Sequence, residues 1–108
     1  MIDFTTFEGM DIRIGTVLEA KDFPEAIKPA YQLQIDFGPL GKLNSSAQIT
    51  KRYTKEDLVG RQIIAVVNLG IKKIAHFESQ YLVLGAKDQE DVILLAPEND
   101  LPNGQQIL

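Results

Sequence analysis

The sequence lacks cysteine and tryptophan, and it has a single histidine among its 108 residues. Without cysteine, the chain can form neither a disulfide nor a thiolate metal site, and it has no cysteine nucleophile. This absence agrees with a reducing compartment. The first residues show no basic stretch followed by an apolar one, so we expect no signal peptide and predict a cytoplasmic location.

Long apolar runs are also missing. The longest, residues 63–67, is far too short to cross a bilayer. Hydrophobic residues make up 44% of the chain and charged residues 24%, which is ordinary for a globular protein. The length fits one domain over residues 1–108, with a core so small that association with a second subunit would add stability.

Charge is distributed unevenly, although the net charge is only −4. Residues 42–73 hold seven basic and two acidic side chains, which makes this window +5. Residues 1–41 sum to −4 and residues 74–108 to −5. The basic middle either forms one face that attracts an anionic partner or consists of dispersed, solvated lysines, and both interpretations stay open at this point.

Short strand-like segments dominate the chain. Alternating apolar residues and β-branched residues predict strands at residues 11–20, 31–37, 42–50, 62–69, 81–86 and 92–96. Thr54 and Gly60 suit the start and the end of a short helix. No regular alternation of strand and helix appears, so a doubly wound sheet is not expected. The order predicts an all-β fold with short helices, a five-stranded OB-type barrel with a helix between strands 3 and 4.

Three further features bear on this prediction. Gly15, inside the first strand, predicts a bulge or sharp bend. Residues 70–80 are predicted to be a loop between the fourth and fifth strands. Residues 1–10, with a brief helix that Asp3 caps and Gly9 ends, form an N-terminal extension, and residues 97–108 form a loop-like C-terminal extension.

Catalytic patterns are absent. His76 has no carboxylate cluster beside it, no serine lies in a Gly-x-Ser-x-Gly turn, and no glycine-rich phosphate loop is present. We therefore predict a protein that is not an enzyme and uses no cofactor and no metal. A small hydrolase that uses His76 and Ser79 remains as a third, minor hypothesis.

Two polar segments are candidates for ligand binding. Residues 44–52 are rich in small donors and acceptors and end in two cations, and residues 68–79 join the fourth and fifth strands. In OB-folds, the loop between these strands helps to frame the binding face. Amides, hydroxyls and lysines at this position suit phosphate or peptide groups. Ordinary turn chemistry with solvated lysines is the alternative.

Several motifs resemble one known family. Residues 11–15, Asp-Ile-Arg-Ile-Gly, resemble the opening of the tRNA-binding domains that are appended to methionyl-tRNA synthetases. Asn68-Leu69 and Glu78-Ser79 are similar to a loop of the same family. The string Ser-Ser-Ala-Gln-Ile-Thr at residues 45–50 resembles more specifically the CsaA group of small, stand-alone export chaperones.

The resemblance implies an OB-fold homodimer in which residues 1–10 and 97–108 pack between subunits. It also implies binding of unfolded or pre-secretory polypeptides and of the export ATPase SecA, with tRNA as the alternative ligand. The binding positions that it implies, together with the cations around them, are Arg13, Ser45, Ser46, Gln48, Lys51, Arg52, Asn68, Lys72, Lys73 and Ser79.

Overall fold

The computed structural model describes all residues, 1–108, and contains two short α-helices and nine strands. The helices are α1 (Phe4–Glu8) and α2 (Lys55–Leu58). The strands are β1 (Ile12–Asp22), β2 (Tyr31–Asp36), β3 (Lys42–Ala47), β4 (Gln62–Val66), β5 (Lys72–Ile74), β6 (Phe77–Ser79), β7 (Leu82–Val83), β8 (Gly85–Asp88) and β9 (Asp91–Leu94). The predicted all-β class and the helix between the third and fourth strands are confirmed.

Five strands form one antiparallel sheet in the order β3-β2-β1-β4-β7. The sheet curls until its two edge strands approach each other, since β3 contacts both β6 and β7. The result is a nearly closed five-stranded barrel, as the OB-type prediction requires. The hairpins β5–β6 and β8–β9 lie outside this sheet.

The core follows from alternation along the strands. In β2, Tyr31, Leu33 and Ile35 are buried, whereas the polar residues between them are partly exposed. Such a period of two places one face of a strand inside the barrel. The helix α2 adds Leu58, which is fully buried, and the capping box of Thr54 holds this helix in place.

The prediction of a bulge at Gly15 is wrong by a few residues. Gly15 pairs regularly with Ile63, and the register shift falls between Val17 and Glu19. Gly15 is required for another reason: a β-carbon there would lie 2.5 Å from a methyl group of Ile35. The glycine therefore permits close packing in the barrel interior.

The prediction of a loop at residues 70–80 is also wrong in part. β5 and β6 form an antiparallel hairpin in which Lys72 pairs with Ser79 and Ile74 with Phe77. Each strand has only three residues, which is too short for periodicity to separate a strand from a loop. The hairpin brings Lys72 and Ser79 to the edge of the barrel.

The C-terminal extension is anchored to β1. The Ile14 amide donates to the Gln105 carbonyl over 3.0 Å, and the Ile107 amide donates to the Ile12 carbonyl over 2.8 Å. This pairing covers the part of β1 that β2 leaves free, and it places residue 108 near residue 11. In contrast, α1 buries none of its residues. None of the helices has the length and apolar character that crossing a membrane requires.

We predict that Gly15→Ala lowers the free energy of unfolding by about 1–3 kcal/mol, because the new methyl group overpacks the core against Ile35 and Phe37. Gly9→Ala is the matched control, since its β-carbon would meet nothing nearer than 3.4 Å. Urea denaturation measures both variants. Equal stability of the two would contradict the packing role of Gly15.

Candidate functional site

A groove of about 460 Å³ opens between the two edges of the barrel sheet. On one side lie the end of β3 and Gln48 and Ile49, and on the other lie β7, Val92 and Leu94. Residues 69–72 and Ile74 form a third wall. Ten of its sixteen lining residues are hydrophobic, so the groove as a whole is apolar.

Two serines form the polar floor of this groove. The hydroxyl oxygens of Ser45 and Ser79 lie 2.6 Å apart, and the Ser45 hydroxyl also donates to the Tyr81 carbonyl over 2.6 Å. Ser79 in turn accepts from the Ser46 amide over 3.2 Å. Both serines are buried. Their hydroxyls therefore form hydrogen bonds that connect β3 to residues 79–81, and this structural role comes ahead of any role in ligand binding.

Gln80 adds two further hydrogen bonds to the same edge of β3. The main-chain amide of Asn44 donates to the side-chain oxygen of Gln80, and the main-chain amide of Gln80 donates to the main-chain carbonyl of Asn44, both over 2.8 Å. Gln80 thus satisfies the amide and the carbonyl of Asn44 that face away from β2, although no strand of the sheet pairs with β3 on that side. Sequence reasoning missed Gln80, because a lone glutamine in a loop gives no local signal.

Tyr81 is the only aromatic residue in the groove wall, and it is buried. Its hydroxyl donates to the Leu33 carbonyl over 2.9 Å, and its ring meets Phe37 edge to face. Burial raises the pKa of the Tyr81 hydroxyl far above its ordinary value. The groove consequently offers no exposed aromatic ring on which a nucleic-acid base could stack.

Exposed aliphatic side chains form the rim of the groove. Leu69, Ile71 and Leu82 are 59%, 63% and 52% exposed, although each is apolar. A cluster of exposed apolar residues beside a concave surface is typical of a binding site. The sequence pattern gave no signal for this rim, because these residues are indistinguishable from core residues by type.

The basic middle of the chain is partly neutralised in the fold. Three of its seven basic side chains pair with acids from the two acidic ends: Lys51 with Glu90 (3.1 Å), Arg52 with Asp91 (2.7 Å) and Lys55 with Asp22 (2.9 Å). The hydrogen bond that the Lys55 ammonium donates to the Asp22 carboxylate raises the pKa of Lys55. The structure therefore disfavours a continuous cationic face.

Five of the ten predicted binding residues line the groove, namely Ser45, Ser46, Gln48, Lys72 and Ser79. Lys72 and Lys73 form no ion pair, and Lys73 lies opposite Glu78 in the β5–β6 hairpin. Lys51 and Arg52 do not line the groove but belong to the ion pairs that connect residues 51–52 to the β8–β9 hairpin.

Arg13 and Asn68 lie elsewhere and hold the two extensions. Arg13 forms an ion pair with Asp11 at 2.6 Å and donates to the Gly104 carbonyl. The Asn68 side chain accepts from the Asp11 amide and donates to the Gly9 carbonyl. These contacts give both side chains a positioning role at the chain ends.

The hydrolase hypothesis finds no supporting geometry. His76 is exposed in the turn between β5 and β6, and no hydrogen bond joins it to Ser79, whose hydroxyl already binds Ser45. A nucleophile and its base need to lie within hydrogen-bond reach of each other. His76 also belongs to no group of three or more potential metal ligands.

The family model described as "Putative tRNA binding domain" matches residues 12–106. The methionine–tRNA ligase of Methanothrix thermoacetophila is 39% identical over 104 residues, which are 96% of this chain. The chain belongs to the tRNA-binding domain family. It spans only 15% of that ligase, so it corresponds to one domain of this relative.

Solved structures of this family match over the full chain. The chaperone CsaA from Bacillus anthracis shares 54% identity with a TM-score of 0.95, covering 100% of this chain and 99% of that one. The CsaA chaperone from Picrophilus torridus shares 50% identity with a TM-score of 0.95 and full coverage of both. These matches confirm the OB-type barrel and the resemblance to the CsaA group, and they support a binding domain without catalytic function of its own.

We predict that Ser45→Ala destabilises this tRNA-binding domain by about 1–3 kcal/mol, because the buried Tyr81 carbonyl and the Ser79 hydroxyl lose their partner. Ser46→Ala serves as control, since the Ser46 hydroxyl makes no hydrogen bond, and we expect a change within about 0.5 kcal/mol. Thermal and urea denaturation check both. A Ser45→Ala variant as stable as the control would contradict the structural role of the floor.

Proposed function

We propose that this protein binds unfolded polypeptide segments in the groove between β3 and β7. The observation that carries the proposal is the combination of aliphatic walls with an exposed aliphatic rim at Leu69, Ile71 and Leu82. Exposing such side chains to water is unfavourable, and an apolar client side chain that covers them gains about 25 cal/mol for each Å² buried. Polar groups at Gln48 and Lys72 border the same groove and suit the main chain of the client.

The full-length similarity to two CsaA chaperones supports the same reading. Unfolded or pre-secretory polypeptides are accordingly the proposed clients, and the cytoplasm, which agrees with the absence of cysteine, is the proposed location. The interaction with SecA that the sequence resemblance implies stays a prediction.

A homodimer is part of the proposal. Met1, Ile2, Phe4 and Phe7 of the N-terminal extension are exposed, and no residue of α1 is buried against the barrel. Leu108, also fully exposed, lies at the same end of the molecule, because residue 107 pairs with residue 12. A second copy of the chain that covers these side chains would remove the exposed apolar patch from water.

tRNA is the second candidate ligand. The description of the family and the free ammonium groups of Lys72 and Lys73 favour it. Against it stand the net charge of −4, the ion pairs of Lys51, Arg52 and Lys55, and the lack of an exposed aromatic ring in the groove. Polypeptide binding therefore explains more features of the groove than tRNA binding does.

We predict that Leu82→Asp and Ile71→Asp each raise the protein concentration needed to suppress aggregation by about tenfold or more. Each change removes apolar contact with the client that is worth about 1.5–3 kcal/mol. Light scattering of guanidine-denatured citrate synthase, diluted without ATP, measures the effect. Val59→Asp is the control, since Val59 is 53% exposed outside the groove. Groove variants that protect as well as the control and the original chain would contradict the proposal.

For the tRNA alternative, we predict salt-dependent binding that weakens in the double variant Lys72→Glu and Lys73→Glu, because phosphate contacts use these cations. Lys87→Glu, on the exposed β8 strand, is the matched control. Fluorescence anisotropy with labelled tRNA at 50 and 200 mM salt is the measurement. Tight binding that falls in the double variant and not in the control would favour tRNA as the ligand.

For the dimer, Phe4→Asp combined with Phe7→Asp should shift the protein to monomers in sedimentation velocity, since both rings are exposed in the single chain. Ile27→Asp is the control, because Ile27 is fully exposed in the loop between β1 and β2, away from α1. A wild-type protein that sediments as a monomer at micromolar concentration would contradict the dimer.

A further inference from the structure

The groove occupies the place of a missing strand. The barrel sheet begins at β3 and ends at β7, and both of these edge strands line the groove. Where β6 approaches β3, side chains of Ser79 and Gln80 bridge the gap. Beyond Ser46 no element fills the space between the two edges. The cavity is therefore bounded by two strand edges with no ladder partner.

The edge of β3 presents backbone groups at every second residue. The outward groups of Asn44 are satisfied by Gln80, and the outward amide of Ser46 is satisfied by the Ser79 hydroxyl over 3.2 Å. Continuing this alternation brings the amide and carbonyl of Gln48 to the groove. Gln48 is exposed, and its backbone makes no hydrogen bond within the protein.

The opposite edge has the same character. The Leu84 amide donates to the Ile64 carbonyl over 2.9 Å, which fixes the phase of hydrogen bonding between β4 and β7. By alternation, the backbone groups of Val83 face away from β4. Each edge thus offers the backbone donor and acceptor of one residue, Gln48 on the side of β3 and Val83 on the side of β7. The main chain of an extended polypeptide carries the amide and carbonyl groups that pair with them, and nucleic acid has no such main chain.

We infer that a bound polypeptide segment adds to the β3 edge as a strand beyond Ser46, with hydrogen bonds between its main chain and the backbone amide and carbonyl of Gln48. This inference rests on the polypeptide binding proposed above and names its mode. Main-chain pairing gives affinity without a required sequence, and alternate side chains of the client face the aliphatic walls. Such recognition suits a protein whose clients share only an unfolded, extended backbone.

The test uses a fluorescein-labelled peptide of alternating leucine and serine, made in three forms. One form is unmodified, and the other two carry N-methyl groups on every second amide, in opposite registers. Pairing with one edge uses only alternate amides, so one methylated form should bind at least tenfold more weakly than the other. The leucine–serine alternation prevents a one-residue slip, because a slip would exchange the two faces.

Equal affinity of the two methylated forms would overturn strand addition, even if the unmodified peptide binds. Failure of the unmodified peptide to bind would instead count against the proposed function itself. Amide hydrogen exchange by NMR gives an independent readout without any variant. The Gln48 amide should exchange at least tenfold more slowly with the unmodified peptide bound, and the amide of the exposed loop residue Asn99 should not change. An unchanged Gln48 amide in the complex would also overturn the inference.

Discussion

The seam between β3 and residues 79–81 is the constraint on which the rest of the structure depends. A five-stranded sheet of this size curls far enough to bring its edges together, but β3 and β7 do not share a backbone ladder. Instead, the Ser45 and Ser79 hydroxyls and the amide side chain of Gln80 satisfy the backbone groups that a strand would satisfy. Buried backbone groups without partners are costly, so this short set of side-chain contacts allows the barrel to close.

The same seam explains why a groove exists. Side-chain hydrogen bonds connect the two sides of the barrel only as far as Ser46, and the groove extends beyond it to Gln48 and Ile49. The lining there is mostly apolar. Ile71 and Leu82 are exposed at its rim, and an extended apolar segment is the chemical complement of the space that they surround.

The fold was predictable from local patterns, and the site was predictable only in part. The alternation from Tyr31 to Phe37 and the cap at Thr54 are determined by neighbours in sequence, and both are found in the structure. The interpretation of Gly15 failed because its requirement comes from Ile35 and Phe37 across the barrel, which no local pattern shows. Short hairpin strands such as β5 carry too few residues for a periodic signal.

The site depends on contacts between distant parts of the chain. The partners of Lys51 and Arg52 lie 39 residues away in sequence, so the basic middle was visible in the sequence and its partial neutralisation was not. Exposure of Leu69 likewise depends on where the barrel stays open. The family resemblance implied binding roles for Ser45 and Ser79, but only the fold shows that they face each other across the seam.

The central claim is that the open end of the seam receives an extended polypeptide. Methyl NMR tests it most directly, with isotope-labelled isoleucine and leucine methyl groups and the unmodified leucine–serine peptide as ligand. The account predicts that the methyl resonances of Ile49, Ile71 and Leu82 shift on binding, whereas those of Ile27 and Leu18, which lie outside the groove, do not. Binding that leaves the groove methyl groups unchanged would contradict the account.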